Sequence, residues 1–438
     1  MDPILLSVVT VGLLLFLIGV GLPIAYALAT ATLVMMVAVG DAGEAAHIAE
    51  SVFQSLDSIE LVALPMFIFM GAIIAVSPAG ADIYRALHRI LPIPGGLGVS
   101  AIGGCTVFAA MSGSSPATVA AIGSSGVPEM LARRYPPGLA AGTIVGGGTL
   151  GILIPPSIVL LLYGVVTKVS IGQLFLAGIL PGLMVAALFS LYTVLRMAAH
   201  ERSHRGDAPA PAVEDPGDDG RSALRVLPFF VMVVGIMVAL YGGWATPSEI
   251  AAVGSTASII LVGLVYRLTD LATWSALLLK TVRDAAMILL IAAFSYYLSQ
   301  FLAYHGSVQA ITEALLSAFG NKWATLFALW LVMLLLGCFL PPFAIVVIVA
   351  PMFLPFALEA GFDPVWFGVF ITLNMEIGCI TPPLGINLFV VKSVAPQLSM
   401  RSIILGSMPF LGILVLASLL LVLFPQIALV IPQGMMGY

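Results

Sequence analysis

Charge is what this sequence has least of. Of 438 residues, 16 are Lys or Arg and 21 are Asp or Glu, so 8% are charged while 61% are hydrophobic. Soluble domains carry roughly a quarter charged residues, and a soluble surface cannot be covered with so few. That excludes a soluble globular protein. Abundant Leu, Ile, Val and Ala with no short repeat excludes a disordered or collagen-like chain. The formal net charge of −5 offers nothing for nucleic acid. Only 3 cysteines are present, Cys105, Cys338 and Cys379, all in apolar stretches and with no CxxC pair. An odd, scattered set excludes a disulfide framework or a zinc site. No GxxxxGK[ST] loop offers an ATPase drive, and no HExxH or GxSxG element can be placed credibly. The five histidines (47, 88, 200, 204 and 305) sit in loops or flanking segments. What remains is an all-α polytopic membrane protein.

What is present is apolar length. About 20 apolar residues cross roughly 30 Å of hydrocarbon. The N-terminal run MDPILLSVVTVGLLLFLIGV lacks a basic n-region and a small-residue cleavage site, so it reads as a first transmembrane helix and not as a cleaved signal. Spans are expected near 4–21, 23–40, 61–77, 138–166, 171–197, 226–243, 247–266, 285–303, 365–394 and 402–424. Two further blocks, 97–130 and 323–358, are interrupted by Gly, Ser and Pro and read better as re-entrant hairpins. Basic residues test that reading. With both blocks re-entrant and the N-terminus outside, 14 of the 16 Lys and Arg fall on the cytoplasmic side, leaving only Lys168 and Lys322 outside. The positive-inside rule requires this bias, and turning one block into a single crossing would degrade it. The same topology places the C-terminus on the periplasmic side. The one long polar segment, 198–225, is rich in Pro, Gly, Asp and Arg and reads as a flexible cytoplasmic linker.

That linker separates two related halves, 1–197 and 226–438, which match at an offset of about 226 residues. Pro155-Pro156 parallels Pro382-Pro383, Pro116 parallels Pro342, and Pro23 parallels Pro247. An amphipathic segment precedes each broken block, at 80–91 and 306–319. Five crossings and one hairpin per half make the second half upside-down relative to the first. Interrupted segments in two inverted halves point to a secondary transporter with its site near the midplane; the other reading is a duplicated scaffold without transport.

Four segments carry the candidate chemistry. The first hairpin tip, Ser112-Gly113-Ser114-Ser115-Pro116, concentrates hydroxyls and helix breakers. Freed backbone carbonyls and hydroxyls are hard oxygen donors that suit Na⁺, and helix N-termini beyond the break suit an anion. Tight packing of small residues is the alternative. The run GGGTLGILIPPSIVLLLYG, 146–164, must unwind at its Pro-Pro pair and expose carbonyls of Gly148, Thr149, Gly151 and Ile154. Its partner, LNMEIGCITPPLGINLF, 373–389, adds Asn374, Glu376, Thr381 and Asn387. Glu376 is the only acid expected deep inside a span, which marks it for proton or Na⁺ coupling or for pairing with a neighbouring helix. The second hairpin breaks at Gly337, Pro341, Pro342 and Pro351 and offers mostly backbone donors. No Arg or Lys is expected in this site, so nothing visible clamps an anion.

At SGSSPATVAAIG, GILIPPSIVLLLYG and NMEIG…PPLGINLFV the chain resembles the large membrane subunit of tripartite ATP-independent periplasmic (TRAP) transporters, over essentially its whole length. The resemblance implies a bacterial inner-membrane importer of organic acids such as C4-dicarboxylates, sialic acids or 2-oxo acids. It implies Na⁺ as coupling ion and no organic cofactor, and two partners: a small four-helix membrane subunit and a periplasmic solute-binding protein. Hairpins and broken helices would slide as one body in an elevator motion. By motif, one Na⁺ would sit among Ser112, Ser115, Gly151, Ile154 and Pro156, and a second among Gly337, Gly378, Thr381 and Leu384. The substrate carboxylate would lie near Ser114, Thr149, Asn374 and Asn387. Many family members carry an acid just before the second hairpin's central Pro; this chain has Pro341 there. A stand-alone ion-coupled anion transporter of the same design is the nearest competing reading. An intramembrane enzyme would need a second catalytic group beside Glu376, and a passive channel would need no Na⁺ gradient.

Overall fold

The computed structural model describes residues 1–90, 95–203, 221–383 and 385–436, and among them the regular structure is helix alone. The first half holds α1 (Pro3–Gly19), α2 (Ile24–Val39), α3 (Ile48–Leu56), α4 (Ala63–Val76), α5 (Ala79–Ile90), α6 (Gly96–Ser112), α7 (Ser115–Ala132), α8 (Pro137–Leu153), α9 (Ile158–Thr167) and α10 (Ile171–Ser203). The second holds α11 (Ser222–Tyr241), α12 (Pro247–Tyr266), α13 (Leu271–Tyr304), α14 (Ser307–Phe319), α15 (Lys322–Gly337), α16 (Pro342–Glu359), α17 (Pro364–Ile380), α18 (Ile386–Val394), α19 (Met400–Leu423) and α20 (Gln426–Met436). Among the described residues, seven helical segments are long and apolar enough to cross a membrane, and shorter apolar helices, α6, α15 and α17 among them, accompany these. Most of the linker expected at 198–225 lies outside the described residues, as does Leu384.

Local chemistry explains where helices begin. Pro137, Pro247, Pro342 and Pro364 stand in first turns, where a missing N–H removes nothing that was bonded. The Asp2, Asp270 and Asp363 carboxylates accept from the first free amides of α1, α13 and α17. Thr246 and Glu249 close a capping box on α12.

Burial sorts the helices. Residues 140–157, covering most of α8 and the break after it, and residues 365–380 of α17 are buried without exception. Helices apolar all round belong in the middle of a bundle. α8 packs against α6, α7, α17 and α19, and α17 against α15 and α16. α11, α12 and α13 instead leave Phe230, Leu264, Leu278 and Val282 exposed, the surface that hydrocarbon covers in a polytopic protein.

Between these groups lies the amphipathic α5, packed on α6, α7 and α11. It carries a buried acid that hydropathy does not reveal. Asp82 is 1% exposed. Ser222 Oγ and Tyr266 OH each donate to it at 3.1 Å, and Arg85 and Arg225 stand at 3.5 and 4.0 Å. Glu376 is therefore not the lone buried carboxylate. Asp82 escaped notice because its segment is amphipathic and its partners come from α11 and α12, 140 and 184 residues away.

Candidate functional site

Two interruptions meet in the middle of the molecule. α6 ends at Ser112 because Gly113 takes a left-handed turn, φ 59°, open to glycine at little steric cost. Ser114 is extended, and α7 restarts at Ser115-Pro116. Facing this tip, α8 stops at Leu153, the chain crosses Pro155-Pro156, and α9 restarts behind its cap, Ser157, whose Oγ accepts from Leu160 N–H at 3.2 Å. The approach is close enough to demand glycine. A methyl group on Gly151 would lie 2.6 Å from Ser114 O and 2.7 Å from Ser115 N, and one on Gly113 would lie 2.7 Å from Pro156 O. Backbone therefore meets backbone, and carbonyl oxygens at the end of α6 and at the α8 break share one small volume with the Ser112 and Ser115 hydroxyls. Ser112 Oγ lies 3.1 Å from Thr118 Oγ1, and Ser115 Oγ accepts from Asn387 Nδ2 at 2.8 Å.

The second half makes a parallel crossing. α15 ends at Gly337 and α16 restarts at Pro342, while α17 ends at Ile380 and α18 restarts after Gly385. A methyl group on Gly378 would lie 2.8 Å from Gly337 O. Thr381 caps α17, and its Oγ1 donates to Ile377 O at 2.6 Å. Around this crossing lies a cavity of about 410 Å³ bounded by Gly337, Pro341, Gly378 and Gly385.

The residues named from sequence fall into three groups. Ser112, Ser115, Gly151 and Pro156 come together at the first crossing, while Ile154 lies in the α8 break with its side chain turned toward Gly182. Gly337, Gly378 and Thr381 come together at the second. Of Ser114, Thr149, Asn374 and Asn387, Ser114 borders open space. Thr149 Oγ1 donates to Gly146 O within α8, Asn387 braces Ser115 and Val145 O, and Asn374 Nδ2 donates to Trp330 O at 3.1 Å, toward α15. Glu376 is fully buried; its Oε1 accepts from Ile152 N–H at 3.3 Å, one residue past Gly151, and its Oε2 has no hydrogen-bond partner among the described residues. The carboxylate thus ties α17 to the rim of the first crossing.

The open space is a cavity of about 580 Å³ between the tips, reaching from Ser112–Ala117 to Pro341–Phe343. The first residues of α7, α9, α16 and α18 all border it. Helix N-termini present free N–H groups and the positive end of the helix dipole, so four of them converging favour an anion. Sequence reasoning missed one further element: α13 contributes Leu277, Lys280, Asp284, Met287 and Ile288 to the wall. The expectation that no Arg or Lys borders the site does not hold. The available signal was helical spacing. Lys280 and Asp284, four residues apart, share a face with Leu277, Met287 and Ile288, but their place at the start of a span made them look like ordinary flanking charge. Among the described residues, no three His, Cys, Asp or Glu side chains come together as a metal cluster. The donor set is hydroxyl and carbonyl oxygen, the hard kind of ligand, and not the imidazole or thiolate that soft metals take.

Fold and site together define an all-helical polytopic membrane protein of a kind known among transporters. The solved Alcanivorax borkumensis YdaH transporter superposes with a TM-score of 0.62, covering 86% of this chain and 87% of that one at 16% identity. The chain belongs to the TRAP transporter large permease family: the family model for the DctM component of the tripartite ATP-independent periplasmic transporter matches residues 11–427. It is 34% identical to the C4-dicarboxylate TRAP transporter large permease protein DctM of Pseudomonas aeruginosa, over 88% of this chain and 89% of the relative. It is 31% identical to the ectoine TRAP transporter large permease protein TeaC of Halomonas elongata, over 97% and 98%. These relatives are permeases and not enzymes.

Proposed function

We propose that this chain is the large permease subunit of a Na⁺-coupled importer of an organic acid in the bacterial inner membrane. The observation that carries the proposal is a backbone-to-backbone crossing in each half, with four helix N-termini bordering the cavity between the tips. Na⁺ would be held at the first crossing by Ser112, Ser115, Gly151, Ile154 and Pro156, and at the second by Gly337, Gly378, Thr381 and Leu384. Most of these donors are main-chain carbonyls, so apolar residue types serve. Binding the ions fixes the tips and leaves the helix N-termini free for a carboxylate near Ser114. Asn387 supports that wall from behind, through Ser115, and Thr149 and Asn374 stiffen the helices beside it. Relatives named for C4-dicarboxylate and ectoine transport bear a carboxylate on each substrate, which is the chemistry the site would read.

In this reading the halves 1–197 and 226–438 are inverted repeats. Their hairpins and broken helices move as one elevator body, the linker is cytoplasmic, and both termini are periplasmic. A periplasmic binding protein delivers the acid, and a small four-helix subunit braces the permease. The test is uptake in vesicles holding the chain with and without both partners, under an imposed Na⁺ gradient. Concentrative uptake is expected only with all three proteins and Na⁺. Uptake by the chain alone would reassign it as a stand-alone transporter, and uptake indifferent to Na⁺ would remove the coupling.

A further inference from the structure

The cavity wall supplied by α13 is the least expected part of the site. Leu277, Lys280, Asp284, Met287 and Ile288 lie on one stripe of the helix and border the same space as the hairpin tips. Lys280 is the single basic residue among those lining it, and Asp284 the single acid. The neighbouring Arg283 is exposed and does not line it. Lys280 is exposed, and among the described residues no carboxylate pairs with it, Asp284 included. Its surroundings make that lack of a partner informative. The same cavity is bordered by the N-termini of α7, α9, α16 and α18, all positive helix ends. A cation facing four positive ends is repelled by them, and an anion between them turns repulsion into attraction.

We propose that Lys280 is a specificity-determining residue that pairs with the carboxylate of the transported acid, between α13 and the hairpin tips. This rests on the transport reading above and deepens it. A site made of helix ends alone accepts any small anion, whereas an added ammonium bordering the same cavity selects a ligand with a carboxylate at the right reach. The lysine also places the recognising charge on α13, outside the two broken helices.

The experiment uses the complete complex in vesicles, with succinate, N-acetylneuraminate, pyruvate and ectoine offered in turn under a Na⁺ gradient. The acid that is taken up is also measured for binding to the purified complex by equilibrium dialysis. Lys280→Ala is expected to weaken that binding about tenfold or more and to slow uptake by a similar factor, while Lys280→Arg retains most of both and Arg283→Ala leaves both within about twofold. Lys280→Cys reacted with aminoethyl methanethiosulfonate regains uptake; the same variant reacted with the anionic sulfonatoethyl reagent does not. Wild type treated with each reagent controls for the native cysteines, and gel filtration confirms that every variant is folded. Should Lys280→Ala misfold, the Cys variant with its two reagents carries the test by itself. Binding and uptake within about twofold of wild type in Lys280→Ala, or equal recovery with both reagents, overturns this assignment and leaves the transport reading standing. No uptake of any of the four acids by the wild-type complex overturns both.

Discussion

Gly151→Ala isolates what the first crossing does. The added methyl would lie 2.6 Å from Ser114 O, 2.7 Å from Ser114 C and 2.7 Å from Ser115 N, all main-chain atoms of the hairpin tip. Contact becomes ordinary at 3.4 Å, so the tip must retreat by about 0.8 Å. Overpacking of this kind costs about 1–3 kcal/mol, and replacing a mid-helix glycine by alanine returns about 1 kcal/mol. The net loss of stability is therefore about 2 kcal/mol or less, and the protein stays folded. Function is far less tolerant. Oxygen ligands hold hard cations at about 2.3–2.6 Å, and sites tolerate displacements of only about 0.5 Å. Retreat of the tip pulls one side of the donor set out of reach. Gly151→Ala should raise the Na⁺ concentration for half-maximal uptake at least tenfold, with a modest change in thermal unfolding. Gly12→Ala, which meets nothing within 4 Å, is the matched control. A Gly151→Ala protein with wild-type Na⁺ dependence would refute the claim that this contact shapes an ion site.

Other outcomes follow from the same geometry. Asn387→Ala removes the donor to Ser115 Oγ at 2.8 Å; loss of about 1–3 kcal/mol and slower uptake are expected, and an unchanged melting curve would show that the brace is idle. Glu376→Gln keeps an oxygen to accept from Ile152 N–H, so folding should hold while the Na⁺ half-saturation shifts severalfold; unchanged Na⁺ dependence would leave Glu376 a strut between α8 and α17. Asp82→Ala removes the acceptor of the Ser222 and Tyr266 hydroxyls and the carboxylate beside Arg85 and Arg225, and thermal unfolding should report a loss of about 2–4 kcal/mol, with Tyr266→Phe losing less. Equal stability in Asp82→Ala would mean that solvent replaces those contacts.

Much of this protein was legible in its sequence because the bilayer constrains so strongly. A chain with 8% charge has to satisfy its backbone inside helices, so composition alone dictated an all-helical polytopic fold. The places where helices break were legible too. Gly113 acts locally through a left-handed turn, Pro155-Pro156 and Pro382-Pro383 through missing donors, and neither needs tertiary context. Hence the residues expected at each crossing lie at helix ends in the structure. Tertiary structure alone decided which ends meet. Gly151 faces Ser114 and Gly378 faces Gly337 because the buried helices pack at backbone distance, and no local pattern encodes that partner. The same holds for the charges that hydropathy filed as flanking. Lys280 belongs to the cavity because one stripe of α13 turns inward, and Asp82 is buried because α11 and α12 bring it a serine, a tyrosine and an arginine. Residue type and spacing set where the helices stop; packing across the bundle set what their ends can hold.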